Sequence, residues 1–256
     1  NLGYCRDCTF RSDSSGYFVN NLNQYLQGFA VDENGIPIKS DVSSIKNLQP
    51  INVMNDVSNP EATTQLTNRL QLPASVAAGD PGSVYNQTIT VYDSLGEIHS
   101  LNFEWTKVAG PYENYSATQA WNLIVTEPGF AGTVIDGSYA TGSRIEFDGS
   151  GAPVAFDAQG ENSQTSPNLS ITWTNGANPS SINLNFGSVN SFNGVISVGD
   201  KVVNLPIYSN GNAPGTYISS SVDRDGFVVV NFSNTRSIKK FRIPLSNFPN
   251  VNGLKE

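Results

Sequence analysis

Tyr4-Cys-Arg-Asp-Cys-Thr-Phe10, Asp13-Ser-Ser-Gly-Tyr-Phe-Val-Asn20 and Tyr25-Leu-Gln-Gly-Phe29 decide how this chain is read. Apolar residues fall near period two, and Asp-x-x-Gly stands at the bend between them. That is the pattern of short strands joined by tight turns, not of a helix. The same turn recurs at Asp32–Gly35, Asp93–Gly96, Asp157–Gly160 and Asp223–Gly226. In each, the Asp carboxylate is suited to cap the turn and Gly to take its left-handed position.

Strand patterns continue through Gln87–Tyr92, Ser100–Lys107, Trp121–Thr126, Ser181–Phe186, Phe227–Phe232 and Lys240–Leu245. Several alternate strictly, as strands with one buried face do. No stretch keeps a helical period over ten residues, so the fold class is all-β. The one helical turn expected lies near Leu245–Phe248.

The 256 residues carry a formal net charge of −8, with 38% hydrophobic and 14% charged residues. Asn, Ser, Thr and Gly supply the polarity, which suits an extracellular β-protein rich in turns. The negative balance argues against nucleic acid, since phosphate binding needs a field of Lys and Arg. No apolar run nears the ~20 residues of a membrane span. There is neither a signal peptide nor an initiator Met, and a chain that opens at Asn1 inside a motif is expected to be an excised piece.

The opening residues resemble the signature of the axial proteins of the bacterial flagellum. Those proteins carry a Tyr-x-Arg-x-Gly-x-Phe strand, an Asp-x-x-Gly-Tyr-Leu-Val turn and a Leu-x-Gly-Tyr/Phe strand. The corresponding residues are Tyr4, Arg6, Phe10, Gly16, Tyr17, Gly28 and Phe29, with Cys8 where the family usually has Gly. Ile89-Thr-Val-Tyr-Asp-Ser-Leu-Gly96 followed by His99 is similar to the Val-Tyr-Asp-Ser-x-Gly-x-x-His element of hook proteins. It supplies Tyr92, Asp93, Ser94, Gly96 and His99. Glu61–Leu72 resembles the Ala-Thr-rich segment that opens their outer domain. Asp225, Gly226, Ser233 and Asn234 fit a hairpin signature, in which Thr235 replaces the common Gly. Phe248, Gly253 and Leu254 fit the closing Phe-x-Asn-x-x-Gly-Leu element.

The resemblance implies a hook subunit with a structural role and no catalytic one. Many copies would polymerise into a curved, flexible tube, a universal joint that passes motor torque to the filament. It further implies an extracellular place in the hook and export by the flagellar type III system. The implied partners are other copies of the chain, joined through terminal helical segments outside these residues, and the rod, hook-cap and hook–filament junction proteins. Two polar stretches broken by proline, Asn55–Glu61 and Tyr208–Gly215, have linker composition. With the resemblance they suggest an outer β-barrel- or sandwich-like domain, 61–212, inserted into an inner discontinuous β-domain, 1–60 with 213–256. A distal-rod protein of the same family shares the Tyr-x-Arg and Asn-x-x-Gly-Leu pieces. A secreted carbohydrate-binding or adhesin-like β-sandwich is the alternative from another class.

Other chemistry has little footing. Cys5 and Cys8 form a Cys-x-x-Cys pair, but no second pair exists and His99 is the sole histidine, so zinc lacks ligands. On an extended Tyr4–Phe10, residues three apart stand ~10 Å apart, beyond the ~7 Å reach of a disulfide; two unbridged thiols are expected. A Ser-His-Asp set would need His99, and no Gly-x-Ser-x-Gly elbow accompanies it; packing beside the Asp93 turn is the plainer role. Nothing singles out a carboxylate pair for glycoside hydrolysis. Asp223–Gly226 lacks the later ligands of a calcium loop. Trp105, Trp121 and Trp173 could line a sugar-binding face, yet the first two fall within alternating strands and fit a core. The Asn-x-Ser/Thr triplets at Asn86, Asn114, Asn168 and Asn231 are expected by chance in this composition. No cofactor and no metal is expected.

Overall fold

In a computed structural model, the described residues are 3–6, 8–54, 57–129, 134–156, 165–166 and 168–248. The Asp-x-x-Gly segments form one repeated device. Asp13 Oδ1 accepts the Ser15 and Tyr17 N–H groups, each at 2.9 Å. Asp32, Asp93 and Asp223 accept the N–H groups two and four residues on in the same way. The glycine of each turn donates back to the Asp carbonyl, and its φ lies between +80° and +85°. That conformation strains any residue bearing a Cβ. Asp157–Gly160 lies outside the described residues. A further copy, Asp148–Gly151, turns the chain between Ser143–Phe147 and Pro153–Ala155.

The chain divides into two compact units, one of Asn1–Asn59 with Pro214–Glu256, the other of Pro60–Ala213. The first holds a six-stranded antiparallel sheet. Its order is Gln49–Pro50, Gln27–Ala30, Ser237–Arg242, Phe227–Phe232, Gly215–Val222, Val57–Ser58. A two-stranded ribbon, Arg11–Ser12 with Phe18–Val19, closes around the Asp13 turn. The core is small: Ile51, Val53, Val228, Val230, Phe232 and Ile238.

The second unit has a larger core under three sheets. The first sheet is wholly antiparallel, ordered Pro153–Ala155, Ser143–Phe147, Gln119–Thr126, Ile98–Val108, Val84–Tyr92. The second is ordered Val134–Asp136, Asn168–Thr172, Ser180–Asn185, Gln65–Thr67, Tyr208–Ser209, with Ser180–Asn185 parallel to Gln65–Thr67. The third sets Leu70–Leu72 between Val195–Ser197 and Val203–Asn204. Along Ile98–Val108, alternation puts His99, Leu101, Phe103, Trp105 and Lys107 on the buried face. Trp105 and Trp121 are fully buried and Trp173 nearly so, which places the indoles in the core. Each such side chain contributes about 1.5–3 kcal/mol on burial. Trp121 Nε1 donates to Ser197 Oγ and Trp173 Nε1 to Ser180 Oγ, so two of the three indoles keep a polar partner.

Three expectations are corrected. Cys5 and Cys8 form a disulfide, with Cα atoms 6.0 Å apart. The segment bends at Arg6 instead of running extended; the bend removes the ~10 Å separation on which the opposite expectation rested. Leu245–Phe248 is irregular, and the short helical pieces are Ser138–Thr141 and the 3-10 turn Ile45–Asn47. The final strand stops at Arg242 and not at Leu245. Ile243 still donates to Gly226, but Pro244 has no N–H to offer a ladder. Among the described residues no helix is long and apolar enough to cross a membrane.

Candidate functional site

The Asp93 turn and the strand after it carry a cluster of titratable and polar groups in the second unit. Asp93 ends Val84–Tyr92 and His99 starts the buried face of Ile98–Val108, so the turn folds them together. His99 Nε2 lies 3.1 Å from Asp93 Oδ2, and Nδ1 lies 2.6 Å from Glu127 Oε1. The imidazole rests on the Trp173 ring, with centroids 4.0 Å apart and planes at 30°. Asn175 Nδ2 donates to Asp93 Oδ2 at 2.5 Å and to Glu97 Oε2 at 2.6 Å. Asn178 N–H donates to Ser94 Oγ at 2.8 Å. Thr63 and Tyr92 exchange bonds on the other flank: Thr63 N–H to the Tyr92 carbonyl, and Tyr92 N–H to Thr63 Oγ1.

Burial works to raise the pKa of Asp93. The Asn175 amide, the His99 ring and the Glu97 and Leu95 N–H groups outweigh it and hold the carboxyl below its ordinary value. The carboxylate is therefore a fixed acceptor that knits a turn, a strand end and the Asn175 loop together.

Two kinds of chemistry bear on this cluster. The ligand atoms of Asp93, Glu97 and His99 all lie within 4.8 Å of one another, a spacing that could hold a cation. The Asn175 amide already bridges the two carboxylates from the space between them. For proton transfer, His99 is 1% exposed and each ring nitrogen faces a carboxylate, so no substrate atom reaches it. Glu127 and Trp173 as partners of His99, and Asn175 and Asn178 as partners of the Asp93 turn, have no mark in the local sequence. They come from distant segments.

The remaining motif residues sit in the first unit. The Tyr4 and Phe248 rings meet edge-on with centroids 4.9 Å apart. Arg6 is at the bend and exposed, and Phe10 is half-buried. Gly16 is buried, with φ +83° and a hypothetical Cβ 2.1 Å from Met54 Cβ. Tyr17 packs on Tyr25 at 5.0 Å. A Cβ on Gly28 would lie 2.9 Å from Ile51 Cδ1, so the glycine lets Ile51 approach beside Phe29. Asp225 N–H donates to Asp223 Oδ1, and Gly226 closes that turn. Ser233 Oγ accepts the Thr216 N–H, and Asn234 Nδ2 donates to Ser58 Oγ. Thr235 takes φ +65° where glycine is usual in the resembling hairpin. Gly253 and Leu254 lie outside the described residues.

Among the described motif residues, Asp93, Gly16, Gly96, Asp225 and Gly226 build turns, and Ser233 and Asn234 tie strand ends. The class this defines is an all-β protein of several sheets fastened by capped turns. A family model, that of the flagellar basal body protein FlaE D2 domain, matches residues 65–204, and the chain belongs to that family. Its relatives include the flagellar hook protein FlgE of Helicobacter pylori, 32% identical over 171 residues. That match covers 66% of this chain and 22% of the relative. The flagellar hook protein FlgE of Salmonella typhimurium is 26% identical over 260 residues, 98% of this chain and 58% of the relative. The chain thus spans less than two thirds of the length of either. The crystal structure of Helicobacter pylori flagellar hook protein FlgE2 matches with a TM-score of 0.57 at 11% identity. It covers 96% of this chain and 82% of that one, and shows the shared fold.

Proposed function

We propose that this chain is the β-domain portion of a flagellar hook subunit. The observation that carries the reading is the alignment with a hook protein over 98% of the chain, which takes in both compact units. Many copies assemble into a short curved tube outside the cell that carries motor torque to the filament. The subunit works mechanically: each unit stays rigid while the contacts between subunits shift as the tube bends. Helical assembly requires heterologous contacts, with different patches on each side of the subunit. Segments beyond these residues supply the polymerising contacts, and rod, cap and junction proteins meet the ends of the tube.

Residues 61–212 act in this reading as an outer domain inserted into an inner one. In the first unit, Val57–Ser58 pairs with Gly215–Thr216; in the second, Glu61 bridges Asn212. Each unit thus holds its two chain crossings as a strand pair. Paired short tethers allow small tilts and resist twist, as a torque joint requires. The motif residues Tyr4 to Phe248 serve the rigidity of each unit.

Disruption of the gene tests the proposal. Cells should stop swimming and bear rods without hooks, and the intact gene should restore both. Normal hooks in the disrupted strain would reject it. A disrupted strain that lacks the rod's distal part would point to a rod protein instead.

A further inference from the structure

Among the described residues, Lys107 is the one buried lysine, on the core face of its strand. It is 7% exposed, and it stands at the far end of the stripe that His99 begins. Its stem lies opposite Trp121 in the strand register, and Nζ is 5.2 Å from the centre of that indole. An ammonium has three N–H groups and no acceptor. One goes to Gln119 Oε1 at 2.7 Å. Gln119 is itself pinned: Ser197 Oγ donates to the same Oε1, and Gln119 Nε2 donates to the Ser197 carbonyl. Among the described residues no carboxylate pairs with Nζ. A buried cation without a counter-charge is costly, and a net charge of −8 makes its lack of an acid partner more conspicuous.

Lys107 also lines a cleft of about 540 Å³ at the end of the sheet. Ala74, Val76 and Ala109 give that cleft an apolar wall, and Tyr112 and Thr118 bring hydroxyl groups to it. The cleft is open to solvent, and its lining mixes these apolar side chains with polar groups able to fix a ligand's orientation over the buried Lys107.

We propose that the cleft is a binding site for a small carboxylic acid with a short aliphatic tail. The carboxylate pairs with Lys107 Nζ and the tail lies along Ala74, Val76 and Ala109. The carboxylate supplies the counter-charge the fold omits, and a charge-assisted hydrogen bond in a partly dry site is worth more than one in water. Burial holds the Lys107 amine below the ordinary lysine range, and a bound carboxylate reverses that effect. Nothing in the hook reading requires this site, so the two stand or fall separately.

The probe is butyrate, titrated into the isotope-labelled 256-residue chain and followed by amide NMR shifts. The neutral isostere butyramide, run in parallel, separates charge recognition from apolar filling. Butyrate should shift the amides of Lys107, Ala109, Gly110 and Thr118 saturably, with butyramide at least tenfold weaker. Lys107→Met keeps the stem and removes the charge, and should abolish the saturable shift. A non-saturating response, equal binding of butyramide, or unchanged binding by Lys107→Met would each overturn the proposal. If Lys107→Met does not fold, the butyrate–butyramide comparison on the unaltered chain decides alone.

Discussion

Tyr4 and Phe248 touch ring edge to ring face, centroids 4.9 Å apart, and so tie the first recognisable motif to the last. The Cys5–Cys8 bridge begins one residue after Tyr4 and folds the chain back at Arg6. The contact and the bridge are therefore neighbours, and the bridge sets the path by which Tyr4 arrives.

Replacing both cysteines with serine should weaken the first unit only modestly. A disulfide acts mainly by limiting the unfolded chain, and a loop this short limits it least, by about 2 kcal/mol at most. Urea unfolding of Cys5→Ser/Cys8→Ser against the parent measures it. Intact mass before and after a dithiol reductant should show the gain of two hydrogens. An unchanged mass would remove the bridge from the account.

Gly16 and Gly226 close equivalent turns at φ +83° and +80°, yet their surroundings differ. A Cβ at Gly16 would sit 2.1 Å from Met54 Cβ, whereas at Gly226 the nearest atom is the Ile243 carbonyl oxygen at 3.6 Å. Gly226→Ala should lose only the left-handed strain, about 1–2 kcal/mol. Gly16→Ala adds a steric clash and should lose about 3 kcal/mol or more. Denaturant midpoints of the two variants give the comparison; equal losses would mean that the Met54 approach is not rigid.

Thr235 offers the reverse test. A β-branched residue at φ +65° is strained. Its N–H closes the hairpin to the Phe232 carbonyl at 3.1 Å, a bond any residue can make. Thr235→Gly should raise stability by about 1 kcal/mol, after the entropy glycine loses on folding. Thermal unfolding checks it, and a lower midpoint would refute the strain.

These positions show what the sequence could and could not reveal. Alternation in Ile98–Val108 and Phe227–Phe232 exposed the strands, because a half-buried strand writes its burial into every second residue. The Asp-x-x-Gly turns were equally legible, since carboxylate and glycine both act within five residues. Asp148–Gly151 follows the same rule. The helical turn Ser138–Thr141 is too short to leave a period. Glu127 and Trp173 reach His99 from other segments, as Asn175 reaches Asp93, and only the fold brings them together. Composition said nothing of the Lys107 cleft, which depends on strand register and on what does not pack beside it.

Acid should loosen the second unit through Asp93. Its folded pKa lies below the ordinary 3.8, so its contribution is full above that value and fades as pH falls through the folded one. Asp148 is lowered too, chiefly by Ser150, and adds to the same slope. Asp93→Asn should therefore be less stable than the parent at neutral pH, with the gap closing as pH falls through the lowered folded pKa of Asp93. Urea midpoints along a pH series test this; a gap independent of pH would show that the carboxylate charge is not what binds the turn.

The hook assignment is tested most directly by immunogold microscopy of isolated flagella, with antibody raised against residues 1–256. Gold should decorate the short curved tube between rod and filament along its whole length, and should be lost from cells in which the gene is disrupted. Label confined to the rod, or spread over the cell surface apart from flagella, would contradict the account.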